Sequence, residues 1–302
     1  MENAQKELIE KILELKKAKS AIILCHNYQR PEIYEIADFI GDSLELALKA
    51  KEAKADIIVF CGVDFMAESA KILNPEKKVL HPDIEARCPM AAMANAEALR
   101  KKKGEFPNAL VVSYINTSGE TKAESDIICT SANFEKIIKK MKKKEILFVP
   151  DRNMAHCAQR GTRKKIIPWP GFCYVHDFIA PDILRAMKKE RKKAKVMAHP
   201  ECPPDVLKIA DQVCGTGGMI KYAKKSRAKE FIVATEEGMC NRLEREVPGK
   251  KFYPAGGVCE NMKRITLEKV YECLKNESNE VKVEAATAER AGKALEKMLE
   301  LG

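Results

Sequence analysis

The sequence predicts an α/β protein of three pseudo-threefold-related, three-layer α/β/α domains with short parallel sheets and an active site at their common centre. Three observations lead there. Short apolar segments alternate with helical patterns along nearly the whole chain, as they do in parallel β-α-β units. The second strand of each cycle starts near residues 57, 146 and 231, at intervals of 89 and 85. Cys88, Cys173 and Cys259 recur at steps of 85 and 86, each after a β-like segment and a proline: Val79-Leu80-His81-Pro82, Ile166-Ile167-Pro168 and Phe252-Tyr253-Pro254. If the units pack about a threefold axis, one thiolate from each meets the others at the centre. Three soft ligands leave one position of a metal site open. A substrate-binding iron–sulfur cluster needs that opening, whereas an electron-carrying cluster usually takes four protein ligands.

The elements follow in order. A helix over 3–17 precedes the first unit, residues 1–88. That unit reads as a strand at 21–25, a helix at 33–53 with apolar residues at helical spacing, a strand at 57–60, a helix at 65–73 and a strand at 79–80. The second unit, residues 89–174, reads as a strand at 109–113, a helix at 133–144, a strand at 146–149, a helix at 154–160 and a strand at 166–167. The third, residues 175–302, reads as a strand at 195–198, a helix at 204–213, a strand at 231–234, a helix at 239–246 and a strand at 251–253. Helices at 267–274 and 285–301 close the chain. Polar loops follow the first strand of each unit: His26-Asn27-Tyr28-Gln29, Tyr114-Ile115-Asn116-Thr117 and His199-Pro200-Glu201. Ligands of parallel α/β sheets bind beyond the carboxyl ends of the strands. These loops and the cysteines are therefore expected on one side.

Composition narrows the class. In the 302 residues no run approaches the roughly 18 apolar residues of a membrane span. The start, Met1-Glu2-Asn3-Ala4-Gln5-Lys6-Glu7, lacks the apolar core of a signal peptide, so a cytoplasmic location and no membrane partner are expected. Eleven cysteines in such a chain point to thiols or metal rather than disulfides. Cys25, Cys61, Cys129 and Cys240 lie in or near apolar runs and read as small core residues. The net charge of +10 comes with basic runs at 100–103, 139–144 and 188–193. Each run ends a predicted helix, where cations complement the dipole, and no aromatic residues interleave them as single-strand binding would want. Solvated helix ends explain the runs better than a nucleic-acid surface, and no nucleic-acid partner is expected.

Several colinear motifs span residues 20–265: His26-Asn27-Tyr28-Gln29, Ala37-Asp38-Phe39-Ile40-Gly41-Asp42-Ser43, Phe60-Cys61-Gly62-Val63-Asp64-Phe65-Met66-Ala67-Glu68, Cys88-Pro89-Met90-Ala91, Tyr114-Ile115-Asn116, Thr130-Ser131-Ala132-Asn133, Cys173-Tyr174-Val175-His176, His199-Pro200-Glu201-Cys202 and Thr235-Glu236. Any one is weak. Together they are specific, and through them the chain resembles the quinolinate synthases. The resemblance implies a transferase of NAD biosynthesis with a [4Fe-4S] cluster. Such an enzyme condenses iminoaspartate (iminosuccinate) with dihydroxyacetone phosphate to quinolinate, releasing phosphate and water. The resemblance implies Cys88, Cys173 and Cys259 as cluster ligands. It implies substrate contacts at His26, Ser43, Tyr114, Ile115, Asn116, Ser131, His176, His199, Pro200, Glu201 and Thr216, and catalytic roles for Glu201, Tyr28, Tyr114, His26 and His199. It admits a transient supply of iminoaspartate by an aspartate-oxidising enzyme. Two features depart from the family pattern. Glycines fill Cys214-Gly215-Thr216-Gly217-Gly218-Met219 where many members carry serines, leaving Thr216 as the hydroxyl. A single cysteine stands in Gly257-Val258-Cys259-Glu260-Asn261-Met262, which excludes a disulfide at that motif.

Each residue also has a plainer explanation. Glu201 sits in a proline-rich turn and could partner the helix that Pro203-Pro204 begins; otherwise it is the carboxylate base or a transient ligand to the open iron. A tyrosine after a strand is often half-buried packing. Tyr28 and Tyr114 can also donate hydrogen bonds and pass protons through water. A lone histidine is usually structural, but His26 and His199 follow equivalent strands and suit carboxylate binding and proton transfer. His176, three residues after Cys173, could form a zinc C-x-x-H pair; no second pair exists, so it reads as a donor beside the cluster. Ser131 reads first as a helix cap, and Ser43, Ser131 and Thr216 all lie by helix starts that favour anions. An iron–sulfur hydro-lyase acting on another small dicarboxylate is the alternative reading. A basic nucleic-acid-binding protein with structural metal is a more distant one.

Overall fold

In the computed structural model, which describes residues 2–302, twelve strands form three four-stranded sheets. The first holds β1 (Ala21–His26), β2 (Phe39–Gly41), β3 (Ile57–Cys61) and β4 (Lys78–Leu80). The second holds β5 (Leu110–Tyr114), β6 (Ile127–Cys129), β7 (Glu145–Val149) and β8 (Lys165–Pro168), and the third β9 (Lys195–Ala198), β10 (Gln212–Val213), β11 (Glu230–Ala234) and β12 (Lys251–Pro254). Each sheet has the same order, second–first–third–fourth, and all pairs are parallel. The sequence therefore does fold as a triplicated α/β unit.

The strands are continuous apolar runs because both faces of each sheet are covered. Ile23 and Cys25 of β1 join Ile57, Val59 and Cys61 of β3 in one buried cluster, with Ile12 and Leu274 from flanking helices. Leu24, Ile58 and Phe60 point the other way into a cluster that runs through all three sheets. In the second sheet Val111, Leu147 and Val149 pack with Leu99 and Trp169, while Val112, Ile146 and Phe148 join the shared cluster. One face of each of these two sheets thus builds a private core, and the other joins the units to one another.

Two predicted helices each hide an edge strand, and a third is present but shorter. The helix expected over 33–53 is a turn at Pro31–Tyr34, then β2, then a helix at Ser43–Glu52. The one at 133–144 is a shorter helix, Phe134–Lys140, preceded by β6. The one at 204–213 is a turn at Pro204–Leu207 followed by β10. In each unit an aspartate starts the missed edge strand. The carboxylates of Asp38, Asp126 and Asp211 accept the N–H groups of Ile23, Val111 and Val196 at 2.8, 2.8 and 2.9 Å. The aspartates return their own N–H groups to the carbonyls of the same three residues. Two or three residues carry no readable period, and this pairing holds them as strand. Asp42 and Glu45 then form a reciprocal capping box that starts the helix at Ser43. The helices that end in the basic runs at 100–103 and 188–193 are Ala96–Glu105 and Pro181–Glu190, and a further helix, Thr216–Lys225, was not assigned.

The last two helices do not stay with the third sheet. Leu267–Asn276 packs on the N-terminal helix Glu2–Ala18 and on β3, and Ala285–Leu301 packs on the helix Gly119–Ala123, on β6 and on the helix Asp64–Leu73. Between them, Leu80 bridges Glu280 antiparallel at the edge of the first sheet. The chain end ties the first two units together.

Candidate active site

The aspartate clamps supply a common frame for the three units. Three residues beyond Ile23, Val111 and Val196 stand His26, Tyr114 and His199. Two further on stand Tyr28, Asn116 and Glu201, and five beyond the aspartates stand Ser43, Ser131 and Thr216. All nine line one cavity, and Cys88, Cys173, Cys259 and His176 line it too. Parallel strands with one topology aim their carboxyl ends alike, so the site is assembled from equivalent positions of three units. Two residues named from the resemblance are absent from the lining. Ile115 is buried behind it, its N–H held by the Cys129 carbonyl at 2.8 Å, and Pro200 lies within the turn that carries Glu201.

Glu201 is fully enclosed and is the hub of the polar contacts. Its Oε2 lies 2.6 Å from His176 Nδ1, and Tyr114 also hydrogen-bonds to the carboxylate. His176 Nε2 lies 2.8 Å from Thr235 Oγ1, which in turn lies 2.7 Å from Tyr28 Oη. Each hydroxyl has one proton to give. With Glu201 ionised, the network assigns the imidazole proton to Nδ1. Nε2 then accepts from Thr235, and Thr235 accepts from Tyr28. Every donor in the chain Tyr28–Thr235–His176–Glu201 points toward the carboxylate. His176 Nδ1 also lies 3.2 Å from Cys173 Sγ, the longer contact and the weaker acceptor.

Burial opposes a charge on Glu201. His176, His199 and the two hydrogen bonds outweigh it and hold the carboxyl below its usual range. Burial drives the pKa of His199 itself down to about 3. Burial lowers His26 likewise to about 3. The two histidines share one device: Tyr28 N–H donates to His26 Nδ1 at 3.2 Å, and Glu201 N–H donates to His199 Nδ1 at 3.3 Å. Each neutral ring therefore carries its proton on Nε2. Burial, with the nearby Glu201 charge, keeps Tyr28 and Tyr114 protonated. Asn116 Oδ1 is buried without a partner among the described residues, the condition of a group that awaits a donor from a ligand.

The plainer explanations can now be weighed. Glu201 caps nothing; Pro203 stands at the N-cap of the turn Pro204–Leu207. Ser131 is not a cap either, because the helix starts at Phe134 with Asn133 at its N-cap. Both nitrogens of His176 are engaged by Glu201 and Thr235. The group Cys173, His176 and Glu201 has ligand atoms within 4.8 Å of one another, but it spends its imidazole on protein contacts rather than offering it to an ion. Thr235 was not singled out as a site residue. The signal was present, since Thr235-Glu236 follows directly on β11, where the strand-end rule places ligand contacts.

The three thiols are chemically matched to a shared soft cation. They are partly exposed toward one cavity, and burial raises the pKa of each. Cys88 and Cys259 oppose one another's ionisation, as do Cys173 and Cys88. A shared metal group would stabilise three such thiolates together, and among the described residues no fourth cysteine lines the cavity.

Comparison with known proteins agrees. The family model described as NadA, quinolinate synthetase A protein, matches residues 10–300. A quinolinate synthase of Desulforudis audaxviator is 49% identical over 298 residues, 98% of either chain. One of Methanocaldococcus jannaschii is 49% identical over 304 residues, 98% of this chain and 99% of the other. One of Pyrococcus horikoshii is 50% identical over 299 residues, again 98% and 99%. With the triplicated fold, the shared cavity and a match over nearly the full length, the chain belongs to the quinolinate synthase family.

Proposed function

We propose that this enzyme condenses iminoaspartate with dihydroxyacetone phosphate to form quinolinate, and that Cys88, Cys173 and Cys259 hold a [4Fe-4S] cluster with one open iron. The observation that carries this reading is the convergence of three thiols and three equivalent polar sets on one cavity. The cluster, when bound, supplies a Lewis-acidic iron with an open coordination position. The chain's own residues bind, orient and move protons.

His26 and His199, neutral with the proton on Nε2, are donors suited to carboxylates, and Asn116 Oδ1 is an acceptor suited to the imine N–H. Ser43, Ser131 and Thr216 add hydroxyls. The helix ends differ in their use for an anion. Asp42 takes the Leu44 and Glu45 N–H groups, whereas the helix at Thr216–Lys225 has no side-chain cap. Phosphate or a carboxylate is therefore better served at Thr216.

Glu201 is the base. It takes a proton directly, or through the relay: as Tyr28 takes the proton from substrate it passes its own to Thr235, one proton shifts along each bond, and Glu201 ends protonated with Tyr28 neutral. Tyr114, hydrogen-bonded to Glu201, can give its proton to a departing hydroxide while taking the one Glu201 gained, so it ends protonated and Glu201 ionised. The supply of iminoaspartate by an aspartate-oxidising enzyme and a cytoplasmic location go with this reading, and no helix among the described residues is long and apolar enough to cross a membrane.

Phosphate release tests the reaction against the hydro-lyase alternative. After anaerobic loading with iron and sulfide, phosphate should appear only with both substrates present. Dehydration of a dicarboxylate alone, with no phosphate from the pair, would favour the hydro-lyase.

A further inference from the structure

Each cysteine of the cavity is held by its own backbone N–H in the same way. Cys88 N donates to Asp64 Oδ1 at 2.9 Å, Cys173 N to Asp151 Oδ2 at 3.2 Å, and Cys259 N to Glu236 Oε1 at 3.1 Å. The three carboxylates follow β3, β7 and β11, the same strand of each unit. Each cysteine opens a one-turn helix, with φ of −88° in all three and ψ of 112°, 116° and 94°. The flanking residues are unrelated: Arg87 and Pro89, Phe172 and Tyr174, Val258 and Glu260. A shared backbone shape on unrelated sequences needs a shared cause. The hydrogen bond supplies one, because a fixed N–H direction and a fixed φ together fix the Cα–Cβ vector and so limit the sulfur to the few staggered positions about it.

We infer that Asp64, Asp151 and Glu236 are positioning residues that set the three thiols for the metal group, one carboxylate per unit. The inference rests on the cluster assignment above. A carboxylate beside a thiolate is electrostatically unfavourable, so the role is geometric. Cations stand by two of the three, Lys263 Nζ at 3.0 Å from Glu236 Oε1 and the buried Lys122 acting on Asp64, while burial pushes the Asp151 carboxyl up toward its neutral form. Asp151 and Glu236 have further duties. Asp151 caps the helix Arg152–Arg160 through Met154 N–H at 2.6 Å, and Glu236 accepts Gly238 N–H at 2.8 Å. Asp64 is the cleanest probe. Among the described residues its Oδ1 accepts only Phe65 N–H at 2.8 Å besides the cysteine.

The test compares wild type, Asp64→Ala and Asp64→Asn after anaerobic loading with iron and sulfide. The readouts are the rate at which an iron chelator bleaches the cluster absorbance and the melting temperature of each metal-free protein. Partners that orient metal ligands are typically worth about 10- to 100-fold in metal affinity. Asp64→Ala should therefore bleach about 10-fold faster or more, with the metal-free protein still folded and its melting temperature lowered only modestly by the two lost hydrogen bonds. Asp64→Asn keeps an acceptor oxygen and should stay near wild type. Equal bleaching rates for wild type and Asp64→Ala would overturn the inference. So would a metal-free variant that fails to fold, or Asp64→Asn behaving as Asp64→Ala. A wild type that binds no iron and sulfide would overturn the cluster assignment as well, which separates the two failures.

Discussion

The proposed base is one buried carboxylate, Glu201, and Glu201→Gln isolates it. The amide keeps the volume and removes the charge. Turnover should fall by about 10² or more, the lower end of what a positioned general base contributes, with iron content retained. Near-wild-type turnover in the loaded variant would reject the role. Thr235 tests the relay. Its hydroxyl is the sole link between Tyr28 Oη and His176 Nε2 in this network. Thr235→Val keeps the shape and should also cost about 10² in turnover, and Thr235→Ser should recover most of it. Equal loss in both variants would assign Thr235 to packing. At this scale the sequence was legible where a polar residue followed a strand, as at His26, Tyr114 and His199. Their tautomers were not legible. Those depend on backbone N–H groups two residues away that meet Nδ1 only in the folded loop.

The strands and most long helices were visible as elements because apolar runs and helical spacing both survive in the sequence. The edge strands β2, β6 and β10 were lost. They hold three, three and two residues, and their stability comes from an aspartate side chain bonded across to the neighbouring strand. Asp126 is exposed, so its removal tests that bond without opening the core. Asp126→Ala should lower unfolding free energy by about 1 kcal/mol, the usual worth of one such hydrogen bond, and Asp126→Asn by less. Urea unfolding midpoints of the three proteins decide it; an unchanged midpoint would mean the clamp is redundant. The thiol loops extend the lesson. Proline and spacing pointed to Cys88, Cys173 and Cys259, but the carboxylates that hold their N–H groups lie 22 to 24 residues earlier in sequence. No local pattern records that pairing.

Three units with one topology place one cavity at their junction, and the terminal helices fasten the first two units from outside. The buried histidines link this assembly to pH. His26 and His199 have folded pKa values near 3, against 6.5 when unfolded. Between those limits the unfolded chain binds more protons, so their contribution to stability is present above about 6.5 and is lost as pH falls toward 3. Glu201, held below its usual range, has the same sign. The melting temperature of the metal-free protein should therefore fall on acidification from pH 7 to 4, and His26→Gln should flatten that slope. A slope unchanged by the substitution would contradict a neutral buried His26. The cysteines divide by location in the same way. Cys173→Ser should abolish iron and sulfide binding. Cys61→Ser and Cys273→Ser, both within the outer core of the first unit, should bind a full complement and lose stability only. The most direct measurement is product analysis after anaerobic loading, with iminoaspartate and dihydroxyacetone phosphate supplied to wild type and to Cys173→Ser. The account predicts quinolinate from the loaded wild type, phosphate released in equal amount, and neither from Cys173→Ser. A wild type that carries iron and sulfide yet forms no quinolinate, or a Cys173→Ser protein that forms it, would contradict the account.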